Sequence, residues 1–378
     1  MKPMKPIFCC MIVLTALAAF SELRAAPNEL IAYIGTYTRN KSKGIYAYRF
    51  DPKTGAVTDI GLVAETSNPS FLAVHPNQKF LYAVNEDRDG KVSAFAIDPK
   101  TGHLKLLNQL SAKGDAPCHL ALDHTGKVLV AVNYTSGSTI SYQVHDDGTI
   151  SEASFIPHSG SSANKSRQAS PHAHSAVFSP DNKIVMVADL GQDKILEYKV
   201  DTATGKLTPN DPAFGSTPPG SGPRHTTFSK DGKHFYALNE ILKTVTAFSF
   251  DPKGTLTELQ TISTVPADDT TRNGSTAELR LHPNGKWLYA SNRGADSIAM
   301  FDVDAKTGKL TAGPRTPSGG KTPRGAAIDP TGAYMWVGSQ DSDVLTIFKI
   351  DQKTGALTPA GKTIQVGAPV DVLFVAPK

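Results

Sequence analysis

The sequence predicts an all-β protein folded as a seven-bladed β-propeller, with four antiparallel strands in each blade. Three observations support this prediction: a turn phrase that occurs seven times, a strand–turn–strand phrase that occurs six times, and the lack of helical periodicity around them. Short strands in a repeat of about 50 residues are typical of propellers. We therefore expect one ring of blades.

The turn phrase places an aspartate shortly before a glycine, as in DPKTGAVT at 51–58. Aspartate caps such turns and glycine adopts the positive φ that they need, so the phrase favours a hairpin. Each copy is expected to join the third and fourth strands of one blade. The glycines of the seven copies are Gly55, Gly102, Gly148, Gly205, Gly254, Gly308 and Gly355.

The strand–turn–strand phrase supplies the first two strands of each unit, as in NPSFLAVHPNQKFLYAVNE at 68–86. A unit of this size cannot bury its apolar faces alone, so neighbouring units must supply the core. A solenoid of stacked repeats is the structural alternative. It would need capping repeats at both ends, whereas the ends of this chain indicate closure of a ring.

The two ends of the chain share one blade in this interpretation. APVDVLFVAPK at 368–378 is only a first strand, and the segment that begins at Leu30 supplies the second, third and fourth strands. Such a clasp closes the ring without a free sheet edge. The predicted propeller covers residues 27–378. The serine-rich segment 156–170 lengthens one unit, and we expect it to be a mobile surface loop.

Residues 1–26 have the pattern of a secretory signal peptide: two early lysines, an apolar run at 7–20 and small residues at 25 and 26. The sequence therefore predicts export to the periplasm or the extracellular space, with an uncleaved membrane anchor as the alternative. No membrane contact is expected once the signal peptide is removed. Beyond that segment Cys118 is the only cysteine, so no internal disulfide can form.

The formal charge of the whole chain is +4, which gives no electrostatic argument for binding nucleic acid or a membrane surface. We expect the protein to act as a monomer.

Polar residues converge on one mouth of the predicted ring. In a propeller, the first strand of each blade starts at the same mouth at which the second strand ends. The repeat places two sets of residues there, separated by 16 positions in every hairpin. The first-strand set is Ser70, Cys118, His174, Arg224, Ala277, Arg324 and Val370. The second-strand set is Glu86, Tyr134, Leu190, Glu240, Arg293 and Gln340, with Tyr37 near the equivalent place.

Three arginines, one acid and one histidine in this ring form a concavity that suits an anion and contains a titratable base. They are His174, Arg224, Glu240, Arg293 and Arg324. Glu86 and Tyr134 lie across the mouth, and we expect them to contact a ligand. The plain structural alternative is a set of salt bridges between blades.

Other chemistries have weaker support. His172 and His174 in PHAH could bind a metal, but no cysteine or acidic cluster stands at ligand spacing, so we expect no metal and no cofactor. We therefore assign His172 to ligand contact. A nucleophilic serine lacks the GxSxG context. Glu278, one residue past the ring register, is expected to point between blades, and a short shift of register would bring it inward.

Five motifs stand out along the chain: YIGTYT, PHAHS, GPRH…NE, AELRLHPNGKWLYASNR and PRGAAIDPTG. Together they resemble the lactonase family of seven-bladed propellers, which includes propeller-type 6-phosphogluconolactonase and the fungal carboxymuconate-cyclising enzyme. The likeness covers nearly all of the chain beyond residue 26. The resemblance implies a metal-free active site of one histidine, one glutamate and two arginines. Matched motif by motif, these are His174, Glu240, Arg224 and Arg293.

This resemblance predicts hydrolysis of a sugar lactone or a small organic-acid lactone, with an anionic substrate. His174, with an ordinary pKa of about 6.5, is the predicted general base, and Glu240 is the second choice. Arg224 and Arg293 would stabilise the oxyanion or bind the substrate anion, with Arg324 helping to bind the substrate. The export signal departs from a cytosolic phosphogluconolactonase, so the phosphorylated substrate is in doubt. The alternative is an exported, non-catalytic propeller that binds a protein or a carbohydrate.

Overall fold

The computed structural model describes residues 29–39, 41–271, 274–361 and 363–376. The predicted signal peptide lies outside the described residues. The strands form seven antiparallel sheets, each built from consecutive strands of the chain except where the two ends meet.

The chain enters the ring through three strands that form the outer part of its last blade: β1 (Leu30–Thr36), β2 (Gly44–Phe50) and β3 (Val57–Glu65). Blade 1 contains β4 (Leu72–Val74), β5 (Phe80–Asn85), β6 (Lys91–Ile97) and β7 (Leu104–Ser111). Blade 2 contains β8 (Pro117–Leu122), β9 (Val128–Asn133), β10 (Ser138–Val144) and β11 (Ile150–Pro157). Blade 3 contains β12 (Ala173–Phe178), β13 (Ile184–Asp189), β14 (Lys194–Val200) and β15 (Leu207–Ser216).

The remaining blades repeat this order. Blade 4 contains β16 (Pro223–Phe228), β17 (His234–Asn239), β18 (Thr244–Phe250) and β19 (Leu256–Ser263). Blade 5 contains β20 (Ser275–Leu281), β21 (Trp287–Arg293), β22 (Ser297–Val303) and β23 (Leu310–Pro317). Blade 6 contains β24 (Pro323–Ile328), β25 (Tyr334–Ser339), a 3₁₀ turn (Gln340–Ser342) and β26 (Val344–Ile350). Its outer edge is split into β27 (Leu357–Pro359) and β28 (Ile364–Gln365), and β29 (Pro369–Val375) ends the chain.

The last strand closes the ring as the sequence predicts. β29 pairs antiparallel with β1, so that Ile31 lies opposite Val375 and Gly35 lies opposite Asp371. The order of this sheet is β29-β1-β2-β3. The first strands of adjacent blades contact one another all the way round, including β24 with β29 and β29 with β4. The seven-bladed propeller and its clasp are therefore confirmed.

Apolar faces pack between the blades. Aromatic side chains fill the junction between blade 6 and the last blade, β29-β1-β2-β3. The ring centre of Phe50 lies 5.2 Å from that of Trp336, which lies 5.6 Å from that of Phe374. Phe50 and Trp336 are fully buried. Burying a large apolar side chain stabilises a fold by about 1.5–3 kcal/mol. Phe374 of β29 packs against both Phe50 and Trp336, so β29 contributes to the stability of the last blade and of blade 6.

The repeated Asp–Gly turns also connect adjacent blades. The hydroxyl of Tyr33 donates to the carbonyl of Gly102 at 2.8 Å, and the hydroxyl of Tyr289 donates to that of Gly355 at 2.7 Å. Gly102 has φ of +79°, and a Cβ there would lie 3.2 Å from the side chain of Ile31. The turn phrase therefore serves the packing between blades as well as the hairpin.

The segment 156–170 lies at the surface and has no strand beyond Pro157, as its composition predicts, but two of its side chains anchor it. Its Gln168 is fully buried and donates to the carbonyl of Leu190 at 2.8 Å and to Oδ1 of Asp193 at 2.7 Å. Its His158 bonds to Asp189 at 2.7 Å. Buried polar side chains thus hold the segment against blade 3.

Among the described residues, no helix has the length and apolar character to cross a membrane.

Candidate active site

An irregularity near the start of the first strands shapes the mouth of the propeller. In β8, β12, β16, β20 and β24, the register with the second strand shifts close to the first residue, as between Pro223 and Thr226. A β-bulge re-aims side chains that strict alternation would send to opposite faces. Arg224 and His225 are consecutive, yet both contact groups from blade 5 around the channel. The channel therefore contains two layers of polar side chains: an upper layer at the mouth, which includes Arg224, and a lower layer beneath it, which includes His225.

Glu240 lies at the centre of the upper layer, which is the predicted site. Its Oε2 is 3.0 Å from Nε of Arg224 and 2.9 Å from Nη2 of Arg293. Its Oε1 is 2.5 Å from Nη2 of Arg167. The carboxylate is 5% exposed, so three guanidinium groups surround an almost dehydrated charge.

Two of these guanidinium groups are also held by the backbone of blade 5. Arg224 donates through Nη1 to the carbonyl of Ala277, and Arg293 donates through Nη2 to that of Thr276 at 2.8 Å. The Arg224 side chain is 2% exposed. Arginine suits such sites because its planar group can satisfy several acceptors at once.

A second acid faces Glu240 across the mouth. Both oxygens of Glu86 accept from the hydroxyl of Tyr37 at 2.9 Å. Nη2 of Arg324 lies 3.7 Å from Oε1 of Glu86, and the guanidinium lies 5.2 Å from the centre of the Tyr37 ring. Among the described residues, no group forms a hydrogen bond to the guanidinium of Arg324. Its N–H groups are therefore available to a ligand.

His174 lies between these two clusters and is 4% exposed. Its Nδ1 lies 3.7 Å from the sulfur of Cys118. Its ring packs edge-on against that of Tyr134, with 5.4 Å between the ring centres. No described residue bonds to its Nε2. Burial raises the pKa of the Cys118 thiol, which argues against a thiolate nucleophile.

His172 lies at the rim and stacks on Tyr134 at 4.6 Å, with 20° between the planes. Its Nδ1 also lies 2.9 Å from the backbone carbonyl of Tyr134. The eight site residues predicted from the sequence therefore meet at one mouth. In the part of the chain that the structure describes, no group of three or more His, Cys, Asp or Glu side chains is arranged to hold a metal.

The surrounding charges set the protonation of the two candidate bases. Burial raises the pKa of Glu240, but Arg293 and Arg224 outweigh that effect and hold it far below its usual value. Burial and the nearby Arg224 hold the pKa of His174 well below 6.5. The pKa of His174 therefore lies below the ordinary value used in the sequence analysis, which favours the neutral imidazole. Burial and the neighbouring arginines also lower the pKa of Arg224 to about 10.

A lower layer of polar groups lies beneath the site. Nδ1 of His225 is 2.7 Å from Oε1 of Glu278, whose Oε2 is 3.3 Å from Arg280. Arg280 also lies 3.8 Å from Asp371, and the ring of His225 meets that of His174 at 5.5 Å. Glu278 therefore faces the channel and does not point between blades, which is the alternative that a short shift of register allows. The bulge in β20 accounts for the difference.

The opposite mouth has another character. A cavity of about 530 Å³ opens there, with mainly apolar side chains in its walls and with His119, Arg280 and Asp371 among its polar residues. The ring of Phe71 stacks on that of His119 at 3.9 Å. The convergent charges of the predicted site lie at the other mouth.

Arg167 is the site residue that the sequence did not indicate. It lies in the segment 156–170, outside the repeat, so the register of the blades assigns it no place. Besides Glu240 it contacts the hydroxyl of Tyr134, at 3.3 Å from Nη2. The serine-rich composition around it predicted a mobile surface loop, and the buried side chain of Gln168 anchors the backbone next to it.

Comparison with known proteins identifies the family to which this fold belongs. The family model described as lactonase, 7-bladed β-propeller, matches residues 31–374. The chain belongs to this lactonase family.

The chain is 35% identical over 305 residues to a 6-phosphogluconolactonase of Bacillus subtilis, covering 80% of this chain and 86% of that protein. It is 36% identical over 306 residues to a 6-phosphogluconolactonase of Formosa agariphila, covering 79% and 86%. The solved structure of a periplasmic gluconolactonase from Pseudomonas aeruginosa matches with a TM-score of 0.88 and 34% identity, covering 93% of this chain and 100% of that one. These similarities confirm the resemblance inferred from the motifs.

Proposed function

We propose that this protein is an exported lactonase that hydrolyses a sugar lactone or a small organic-acid lactone at the mouth containing Glu240. The charge of that mouth carries the proposal. Four guanidinium groups face two carboxylates, which leaves two uncompensated positive charges; the arginines are Arg167, Arg224, Arg293 and Arg324. Lactone hydrolysis passes through an oxyanion and ends in a carboxylate, and both suit such a site.

The names of the relatives bear on the substrate in two ways. Two sequence relatives are 6-phosphogluconolactonases, whereas a close structural neighbour is a periplasmic gluconolactonase. The predicted signal peptide at 1–26 favours a compartment outside the cytosol. We therefore propose an aldonolactone or a related acidic lactone that is present outside the cytosol, and not an intracellular sugar phosphate, as the physiological substrate.

The proposed reaction uses His174 as general base. Its Nε2 takes a proton from a water molecule while the oxygen of that water attacks the lactone carbonyl carbon. The resulting oxyanion is stabilised by Arg224 and Arg293, with Arg324 helping. The bond between the carbonyl carbon and the ring oxygen then breaks, and the ring oxygen receives the proton from His174. The product is the open-chain hydroxy acid.

The lowered pKa of His174 keeps the imidazole neutral and so able to accept a proton, and a bound anion would make it a stronger base. An anionic ligand offsets the positive charges of the mouth, so the pKa of the imidazole should rise as the ligand enters. Glu240 is the second candidate base. Its three guanidinium partners hold it ionised, which suits an electrostatic anchor better than a group that must take up a proton.

A panel of lactones tests the proposal. The purified protein is mixed with gluconolactone, 6-phosphogluconolactone and small aliphatic lactones, and acid release is compared with the spontaneous rate. We expect acceleration of at least one sugar lactone. If none is accelerated and the protein captures a specific macromolecule or carbohydrate instead, the non-catalytic alternative replaces this proposal.

A further inference from the structure

Arg167 differs from the other arginines of the mouth in its origin and in its partners. It comes from the segment between β11 and β12 and not from a blade strand. Its side chain is 40% exposed, whereas that of Arg224 is 2% exposed and that of Arg293 is 16% exposed. It is the guanidinium at Glu240 that solvent, and therefore a ligand, reaches most easily.

The partners of Arg167 make it the exchangeable member of the cluster. Arg224 and Arg293 each donate to a backbone carbonyl as well as to Glu240, so the fold fixes both. Arg167 has only the carboxylate of Glu240 and the hydroxyl of Tyr134 as described hydrogen-bond partners. An incoming anion can replace both of these contacts, and Glu240 would still keep two guanidinium partners.

The backbone that carries Arg167 is nevertheless well anchored. The adjacent Gln168 bonds to Leu190 and Asp193, and its Oε1 accepts from the backbone N–H of Asn164 at 2.9 Å. Asp193 also accepts from the backbone N–H of Gly222 at 2.7 Å, just before Arg224. The segment is thus tied to the strand that carries the buried arginine. Only the long side chain of Arg167 needs to move, which keeps the entropic cost of recognition small.

We propose that Arg167 is a specificity-determining residue that leaves Glu240 to bind an acidic substituent of the lactone, a phosphate or a carboxylate. This inference rests on the proposed function of the mouth. A planar guanidinium can bind either group through two parallel hydrogen bonds. Neutral lactones offer no such partner, so Arg167 would remain on Glu240 when they bind.

The movement has a second consequence for Glu240. Its Oε1 is bonded to Arg167 at 2.5 Å, whereas Oε2 is shared by Arg224 and Arg293. Departure of Arg167 uncovers Oε1 beside the bound substrate. The freed oxygen can then accept a hydrogen bond from the attacking water and orient it. Recognition of the acidic substituent is thereby linked to preparation of the site.

Paired substrates and paired variants test the inference. Arg167→Gln removes the guanidinium, and Lys165→Gln is the matched control, because Lys165 is exposed in the same segment and its ammonium bonds to the carbonyl of Ser162. KM is measured for gluconolactone, for 6-phosphogluconolactone and for glucarolactone, which carries a carboxylate. We expect Arg167→Gln to raise KM for the acidic lactones by roughly 10- to 100-fold, the scale of a lost charge-assisted contact.

KM for gluconolactone should stay within about twofold of the wild-type value, because Arg167 is not expected to contact a neutral lactone. Lys165→Gln should change none of the three values. 6-Phosphogluconolactone and glucarolactone distinguish the two kinds of acidic substituent. If KM rises for only one of them, that lactone carries the group that Arg167 recognises. Equal changes for neutral and acidic lactones, or no change for any, would overturn the inference.

A binding measurement keeps this test separate from that of the proposed function. The affinities of glucose 6-phosphate, glucuronate and glucose are measured by calorimetry for wild type, Arg167→Gln and Lys165→Gln. We expect weaker binding of at least one of the acidic ligands in Arg167→Gln alone. If the wild type hydrolyses no lactone, the proposed function is contradicted, and calorimetry still decides whether Arg167 binds acidic groups.

Discussion

Replacing Asp371 by Asn should make the protein more stable at alkaline pH. Asp371 is 1% exposed in the lower layer of the channel, and one of its oxygens accepts from the backbone N–H of Leu72 at 2.8 Å. Its other oxygen has no hydrogen-bond partner among the described residues, and Arg280 lies 3.8 Å away. Burial raises the pKa of this carboxyl from 3.8 to about 8, although Arg280 acts against that rise.

The sign and size of the effect follow from linkage. Below pH 4 the carboxyl is protonated in both folded and unfolded chains. Between pH 4 and pH 8 it ionises only in the unfolded chain, so wild type loses up to about 1.4 kcal/mol of folding free energy per pH unit. The loss reaches at most about 6 kcal/mol and ends above pH 8. Asparagine cannot ionise, and its amide oxygen can still accept from Leu72.

Unfolding by urea at pH 5, 7 and 9 measures this difference. We expect the midpoint of Asp371→Asn to exceed that of wild type by an amount that grows from pH 5 to pH 9. Asp268→Asn is the control, because it makes the same replacement at an exposed aspartate. A difference between Asp371→Asn and wild type that does not depend on pH would refute the reasoning.

Three further predictions concern the site and the ring. Arg293→Ala should raise KM for an acidic lactone more than for a neutral one, because it removes positive charge from the mouth; equal changes in steady-state KM would contradict this. Deleting residues 370–376 should abolish cooperative folding, because it removes the innermost strand of the clasp and frees the edge of β1; a soluble protein with a cooperative thermal transition would argue against the closed ring. Tyr33→Phe should lower the unfolding free energy by about 1–3 kcal/mol, because it leaves the buried carbonyl of Gly102 without its partner; an unchanged urea midpoint would show that this contact contributes little.

The sequence predicts the ring and the upper layer of the site because both follow the repeat. The constant spacing between Arg224 and Glu240 places them at one mouth, and their contact at 3.0 Å agrees with that register. The clasp was predictable for the same reason, since the first strand and the other three strands of one unit lie at opposite ends of the chain.

Three features escape such a prediction. Glu278 faces the channel because a bulge breaks the alternation of β20, and a bulge leaves no mark on the apolar pattern. Arg167 reaches the mouth from a segment without a counterpart in other blades, so no register assigns it. The low pKa of His174 depends first on burial, which a sequence position does not measure.

The activities of His174→Ala and Glu240→Gln test most directly the claim that this mouth is the lactonase site. On the best lactone of the panel, kcat of His174→Ala should fall by roughly 10²- to 10⁴-fold, the scale of a lost general base. An active His174→Ala variant with an inactive Glu240→Gln variant would transfer the role of base to Glu240. Near-wild-type kcat and KM in both variants, each still folded, would contradict the placement of the active site at this mouth.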